Sequence, residues 1–420
     1  MPIPWTGIGG EDMSLLDTPG AQRLLEDATL LPSNLRECGR HLTSFLKRYL
    51  PCFYREEQRE HAKVCVRGLL SSLERKTCLP VAIEREVDEK PLQYFVGLGL
   101  WDDEAVMAEM RRHVKEELAS PQGILIFDPS AFPKKGQHSC GVQRQWCGRL
   151  GKIENCQLGV FMVYASEKGH GPIDRRLYLP EEWAADQQRR QKCHVPVEAV
   201  FLTRLDLAFE MLLRHGKDFP HAWILADDEF GRSAAFRAAL RDEGERYIVD
   251  VPSNTLVRDL EVRRPPRRKA RRGRKRVTPF CRAAVWQERQ APARWQRFKV
   301  RDGEKGPLEV RALRVRVRGK EGTEVGPEET LLIVRTVEEQ PRISYSLTNA
   351  SPQVPLEELV RVKLERRCVE QFFEEAKGET GLAHYEVRGW QGWHHHITLA
   401  LLALWFCLLE KRRLGKKLPR

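Results

Sequence analysis

The chain has 420 residues, 41% of them hydrophobic, which is enough to bury substantial apolar cores and, on length, to form two or three domains. Its 71 Lys and Arg against 59 Asp and Glu leave a formal charge of +12. That surplus points to a polyanionic partner, nucleic acid before anionic membrane, because clustered cations release the counterions condensed on phosphates. The 11 cysteines form no CxxC pair and no Cys/His spacing typical of zinc. The start, MPIPWTGIGGEDMSLLD, lacks the features of a secretion signal, and the apolar window 397–410 is shorter than the roughly 20 residues of a membrane span. A reduced, cytoplasmic and nucleoid-associated protein with no membrane segment is the expectation.

Residues 1 to about 115 carry apolar positions at three- and four-residue steps, as in FYREEQREHAKVCVRGLLSSLERK and DDEAVMAEMRRHVKEEL, and predict a helical domain. Residues 116–251 alternate strand-length apolar runs (GILIFD, QLGVFMVYA, RRLYL, HAWILAD, RYIVDV) with helical stretches (VEAVFLTRLDLAFEMLLRHG, RSAAFRAALRDEG), the pattern of an α/β core. Residues 252–350 carry at 263–276 the run RRPPRRKARRGRKR, in which ten of fourteen residues are basic, and continue as short alternating segments with Gly-rich turns, a β-rich insertion. From 351 to 420 helical periodicity returns and ends in a basic tail.

Three acids stand out. Asp128 closes the strand GILIFD before a loop that carries Lys134 and Lys135, and Asp227 ends WILAD before DEFG. Glu370 lies on a helix with Arg366 four residues before it and Lys377 seven after, offsets that keep all three on one stripe. Acids converging from two strand ends and a helix suit two hard divalent cations such as Mg²⁺, which take oxygen ligands. Arg366 and Lys377 could then hold phosphate oxygens. Each acid also has an ordinary reading, as a turn former or helix N-cap for the aspartates and a solvated ion-paired face for the helix.

The segment from Asp128 through PSAFPKKG and HSCGVQRQWCGRLGKIENCQLGVF resembles the first catalytic block of bacterial insertion-sequence transposases of the DDE class. The segment from Glu370 through QFFEEAKGETGLAHYEVRGWQGWHHHITLALLAL is similar to that family's block around its glutamate, including the Tyr-Arg-Glu-Lys signature of one branch. Arg366, Glu370 and Lys377 are in register, whereas Lys363 stands where the signature has Tyr. ILADDEFG resembles the family's strand with the second aspartate before an aromatic-Gly pair, here Phe230 and Gly231, with Asp228 as the alternative to Asp227.

The resemblance covers roughly 45–410. It implies an RNase H-like core of order β1-β2-β3-α-β4-α-β5 with a β-rich insertion and an N-terminal helical domain that binds DNA ends. It further implies catalytic and metal-binding roles for Asp128, Asp227 and Glu370, with Mg²⁺ replaceable by Mn²⁺. Cleavage at insertion-sequence ends and strand transfer into target DNA by a dimer would be the activity. A transposase-derived DNA-binding protein, or an RNase H-like nuclease without strand transfer, is the alternative.

The basic run, with Arg268 and Arg272, is expected to touch phosphates. Trp286 or Trp295, near Phe298, could stack on an extruded base, although β-core packing suits either one. Arg55, Arg59, Lys63 and Arg67 trace a basic stripe at four-residue steps. The adjacent His394, His395 and His396 point 100° apart on a helix, which favours packing over shared metal ligation.

Overall fold

A computed structural model describes residues 32–262, 278–303, 306–338 and 340–414. The chain divides into two compact units, one of residues 1–120, 128–219 and 368–420, the other of 121–127 and 220–367.

The first unit opens with α1 (Pro32–Tyr49), α2 (Glu56–Leu69), α3 (Cys78–Glu84), α4 (Glu89–Gly97) and α5 (Asp103–Leu118). Strand β1 (Ile124–Pro133) enters it at Asp128, and β2 (Gln143–Cys147), β3 (Lys152–Ser166) and β4 (Gly169–Leu177) form antiparallel pairs, β2 with β3 and β3 with β4. Helices α6 (Glu181–Ala185), α7 (Gln187–Lys192) and α8 (Arg204–His215) follow. The central run of β3 is buried at every position, as a strand covered on both faces must be.

The last long helix of this unit, Trp390–Leu414, is apolar and long enough to cross a membrane by length and composition, yet its apolar window is 89% buried inside the protein. A helix apolar all round is a core helix when other elements surround it, and this one packs on α1, α2, α4, α5 and β4. Several of its buried polar side chains are matched inside the protein. Thr398 Oγ1 accepts from Arg175 Nη2 at 2.9 Å, and Arg175 is in turn paired with Asp103 and Glu104 at the start of α5. The three histidines are spent in packing, as expected. His395 bonds the carbonyls of Val96 and Trp101 and stacks on the Trp101 ring at 3.8 Å, and His396 bonds the carbonyl of Gly381. Burial holds His394 and His396 down at about 4, so both rings are neutral at physiological pH.

The second unit is built on a mixed sheet. Residues 124–127 of β1 run parallel to β5 (Trp223–Ala226), which runs parallel to β6 (Tyr247–Val251). Between β5 and β6 lie α9 (Asp228–Gly231) and α10 (Ala234–Asp242). After β6 come β7 (Leu256–Asp259), β8 (Cys281–Arg282), α11 (Ala283–Glu288), β9 (Gln296–Gly303), β10 (Gly306–Glu321), β11 (Glu324–Thr336) and β12 (Ile343–Thr348). The antiparallel order β6-β12-β11-β10-β7-β8, with β9 also on β10, makes the insertion all-β apart from α11 and a short turn of helix. Helix α12 (Leu356–Leu364) ends the unit, and α13 (Arg367–Gly378) leads back to the first, where α14 is the Trp390–Leu414 core helix.

Every apolar run read as a strand is one, and the order β1, β3, β4, helix, β5, helix, β6 matches the expected core, with β2 as an added short strand. One boundary bears on the site. Strand β1 does not end at Asp128 but continues to Pro133, because Ser130, Ala131 and Phe132 are buried and the Lys134 N–H reaches the Asn155 carbonyl of β3 at 2.8 Å.

Gly231 explains the aromatic-Gly pair after β5. A Cβ placed on it would lie 1.9 Å from the Asp250 carbonyl oxygen, so only glycine lets α9 close on β6 while Phe230 is fully buried. Arg237, 4% exposed, locks the same corner, donating to the carbonyl of Gly231 at 2.6 Å and to Glu321 and Glu329 of the insertion at 2.7 and 3.0 Å. Gly231→Ala is expected to cost about 1–3 kcal/mol through overpacking against immovable backbone. Urea unfolding would show this as a lower midpoint, and an unchanged midpoint would refute the close approach.

Candidate active site

In the first unit, Asp128 is half-buried on β1 and is followed by Pro129, which has no N–H to offer a neighbouring strand. Glu370 is exposed in the first turn of α13, where the helix dipole favours an acid. The opposite face of α13 is apolar, with Val369, Phe372, Phe373 and Ala376 buried. Phe373 meets Phe161 of β3 edge-on at 5.1 Å, and Lys377 Nζ lies 5.8 Å from the Phe132 ring of β1 and 5.5 Å from that of Phe373. This aromatic packing brings the helix of Glu370 and the strand of Asp128 against a common layer.

The two lysines of the following loop part company. Lys134 turns inward, its Nζ 3.3 Å from the Tyr385 ring centre and 3.2 Å from the Tyr385 carbonyl, and burial lowers it to about 8. Lys135 is exposed.

In the second unit, Phe127 pairs with Ala226, and in each strand the next residue is an aspartate. Asp227 is both a cap and a half-buried acid. Its Oδ1 accepts the N–H groups of Glu229 at 3.0 Å and Phe230 at 3.4 Å at the start of α9, so the ordinary N-cap reading holds for that oxygen. Burial nevertheless raises its pKa, against the lowering effect of Arg366 and the two N–H bonds. Asp228, the alternative, points outward and pairs with Arg232 at 2.6 Å.

Asp250, near the end of β6, was not singled out from the sequence. It is buried and would be raised by that burial, but Lys363 and Arg366 hold its carboxyl below the usual range. Lys363 Nζ lies 2.7 Å from Oδ1, Arg366 Nη1 lies 3.0 Å from Oδ2, and Ser346 Oγ donates to Oδ1 at 2.7 Å. Lys363, at the signature's Tyr position, is thus the counter-ion of Asp250, and Arg366 spans Asp250 by contact and Asp227 by charge. A lone acid in the apolar strand RYIVDV was the available signal.

Among the residues expected to touch DNA, Trp286 is buried and its Nε1 donates to Asp259 Oδ2 at 2.8 Å, so it serves the insertion core. Trp295 is half-buried against the same apolar cluster. Arg268 and Arg272 lie outside the described residues. In the helical region, Arg59 pairs with Glu56 and Lys63 with Glu60, which offsets part of the basic stripe.

Among the described residues, no three His, Cys, Asp or Glu side chains cluster closely enough to hold a metal ion. Fitness for a cation therefore rests on each acid's own environment, and Asp227 fits. Its charge is half-buried, incompletely compensated, and carried on an N-capping Oδ1 that leaves Oδ2 for a cation.

The sign of this imbalance is testable. A carboxyl whose pKa is raised on folding keeps a proton that the unfolded chain has released, so stability falls as pH rises above the ordinary carboxylate value and the penalty is full at neutral pH. Asp227→Asn keeps the cap and removes the charge. The variant is expected to melt above the wild type at pH 7, with the difference closing near pH 4; a variant that melts lower at pH 7 would contradict the reading.

The family model described as DDE superfamily endonuclease matches residues 48–307, a span that includes Asp128 and Asp227 and stops before Glu370. The chain is also 29% identical over 198 residues to a protein of Microchaete diplosiphon described as "Probable transposase for insertion sequence element IS701". That similarity covers 46% of this chain and 49% of the relative, so the chain spans about half the length of the relative it matches. With well over half of its length matched by one model, the chain belongs to the DDE superfamily endonucleases.

Proposed function

We propose that this endonuclease-family protein is an insertion-sequence transposase that uses Asp128, Asp227 and Glu370 to cut phosphodiesters at the element's ends and join them to target DNA. The observation that carries the reading is the parallel register of β1 and β5, in which Phe127 and Ala226 are partners and both strands pass directly to an aspartate, inside a span matched by the family. Similarity to the IS701 protein supports the insertion-sequence assignment. Glu370 is supported by its first-turn position and its stripe with Lys377.

Enzymes of this superfamily use divalent metals; we take the ions here to be Mg²⁺, with Mn²⁺ as substitute. When bound, they supply Lewis acidity to the attacking and leaving oxygens of an in-line displacement. Asp227 offers Oδ2 while its Oδ1 stays fixed by the α9 amides, which orients the carboxylate before any ligand arrives. Asp128 and Glu370 supply the remaining carboxylate oxygens. Arg366, anchored on Asp250, keeps a positive charge beside Asp227 and steadies it between turnovers. Lys377 and the exposed Lys135 face the phosphates, with Arg268 and Arg272 adding charge along the DNA. Two such chains, each on one inverted-repeat end, would form the working complex.

A donor-plasmid excision assay separates the readings. Asp128→Ala, Asp227→Ala and Glu370→Ala are each expected to lower excision by more than about 100-fold, since a displaced metal removes most of the transition-state stabilisation. End binding should persist, and Ca²⁺ in place of Mg²⁺ should permit binding with little cutting. Full excision by the Glu370→Ala protein would sink the assignment. Cutting without joining would favour a nuclease, and binding without cutting by the wild type a DNA-binding derivative.

A further inference from the structure

The first unit brings two thiols together. Cys140 follows β1 on the segment leading to β2, and Cys193 closes α7. Both are buried, 0% and 4% exposed, and their thiols lie close enough to interact. Backbone bonds fix each one to the segment that begins α14. The Cys140 N–H donates to the Arg388 carbonyl at 2.8 Å, and the Cys193 carbonyl accepts the Trp390 N–H at 2.8 Å. Cys193 Sγ also donates to the carbonyl of His138 at 3.4 Å, in an exposed stretch of loop.

The surroundings make the pair chemically unequal. The Cys140 thiol as donor, and after it the Arg189 guanidinium, bring Cys193 down to about 7, while Cys140 is pushed far up by the same contact and by burial. Arg189 is held by stacking 3.7 Å over the Trp183 ring and by the Gln137 carbonyl at 3.1 Å. Immediately after Cys193, His194 takes a φ of +51°, a left-handed conformation that costs energy in any residue with a Cβ. In a second thiol contact, Cys147 with Cys156, burial pushes Cys156 up to about 11.

We propose that Cys140 and Cys193 form a redox-active dithiol that hydrogen peroxide oxidises to an intramolecular disulfide. The Cys193 thiolate attacks one peroxide oxygen, the O–O bond breaks, and the departing hydroxide takes a proton and leaves as water, which gives Cys193 sulfenic acid. The Cys140 sulfur then attacks the sulfenic sulfur. The S–S bond forms, the S–O bond breaks, and the hydroxide leaves with the Cys140 proton as a second water. Two thiols lose two electrons and two protons, and one peroxide becomes two waters. The product ties the loop that carries Lys134 and Lys135 to the end of α7, so an oxidised chain holds that loop covalently.

The test uses the full-length reduced protein, hydrogen peroxide in slight excess, alkylation after denaturation, and peptide mass mapping. The expected result is the loss of two of the 11 thiols, a mass lower by about 2 Da, and a crosslinked peptide joining Cys140 to Cys193 that dithiothreitol reverses. In Cys140→Ser protein, Cys193 should be trapped as sulfenic acid by dimedone. Both cysteines fully alkylated after peroxide, or a first disulfide between Cys147 and Cys156, would overturn the proposal. The wild-type map alone decides the matter if the serine variant does not fold.

Discussion

The parallel pairing of β1 with β5 is the constraint on which the rest of the candidate site depends. Strand register has a period of two, so a slip of one residue would turn every side chain of Ile124–Phe127 to the opposite face and separate the steps at which the strands reach their aspartates. The pairing is secured by burial, since Leu125, Ile126, Phe127, Ile224, Leu225 and Ala226 are all fully enclosed. The next pairing, β5 with β6, carries the same logic to Asp250, and Gly231 with Arg237 closes the helix after Asp227 onto that strand.

Two acids of the second unit, Asp250 buried and Asp227 half-buried, show opposite electrostatic outcomes. Asp250 has two cations and a hydroxyl in contact and ends below its usual range; Asp227 has two amide donors and a more distant guanidinium and ends above it. The first arrangement is self-sufficient and structural, whereas the second is incomplete in the way that a cation-binding carboxylate is. Placing Lys at the signature's Tyr position is coherent with an acid on β6, because either charge alone would be stranded in the interior. Arg366 couples the two environments.

Much of this was legible in the residues. Period-two and continuous apolar runs marked β1, β3, β5, β6, β10 and β11, and the matching blocks marked the acids, because these signals are local. What escaped depended on tertiary context. The continuation of β1 past Asp128 required a partner strand to bond Lys134, the inward turn of Lys134 required the Tyr385 ring, and the role of Asp250 required cations that arrive more than a hundred residues later. Trp286, weighed as a base-stacking or core residue of the β-rich insertion, lies on a short helix and its indole is bonded to Asp259. Helix geometry alone denies the three adjacent histidines a common ligand, but their burial in the core came only from the elements packed around the helix.

The proposal that Asp128, Asp227 and Glu370 serve as ligands of the reaction's divalent ions is tested most directly by replacing Mg²⁺ with Fe²⁺ in the presence of ascorbate and DNA ends and sequencing the cut polypeptide. Hydroxyl radicals formed at the bound iron cleave nearby backbone, so the account expects scission next to residues 128, 227 and 370, suppressed by excess Mg²⁺. Cuts clustered elsewhere in the chain, with these three segments intact, would contradict it.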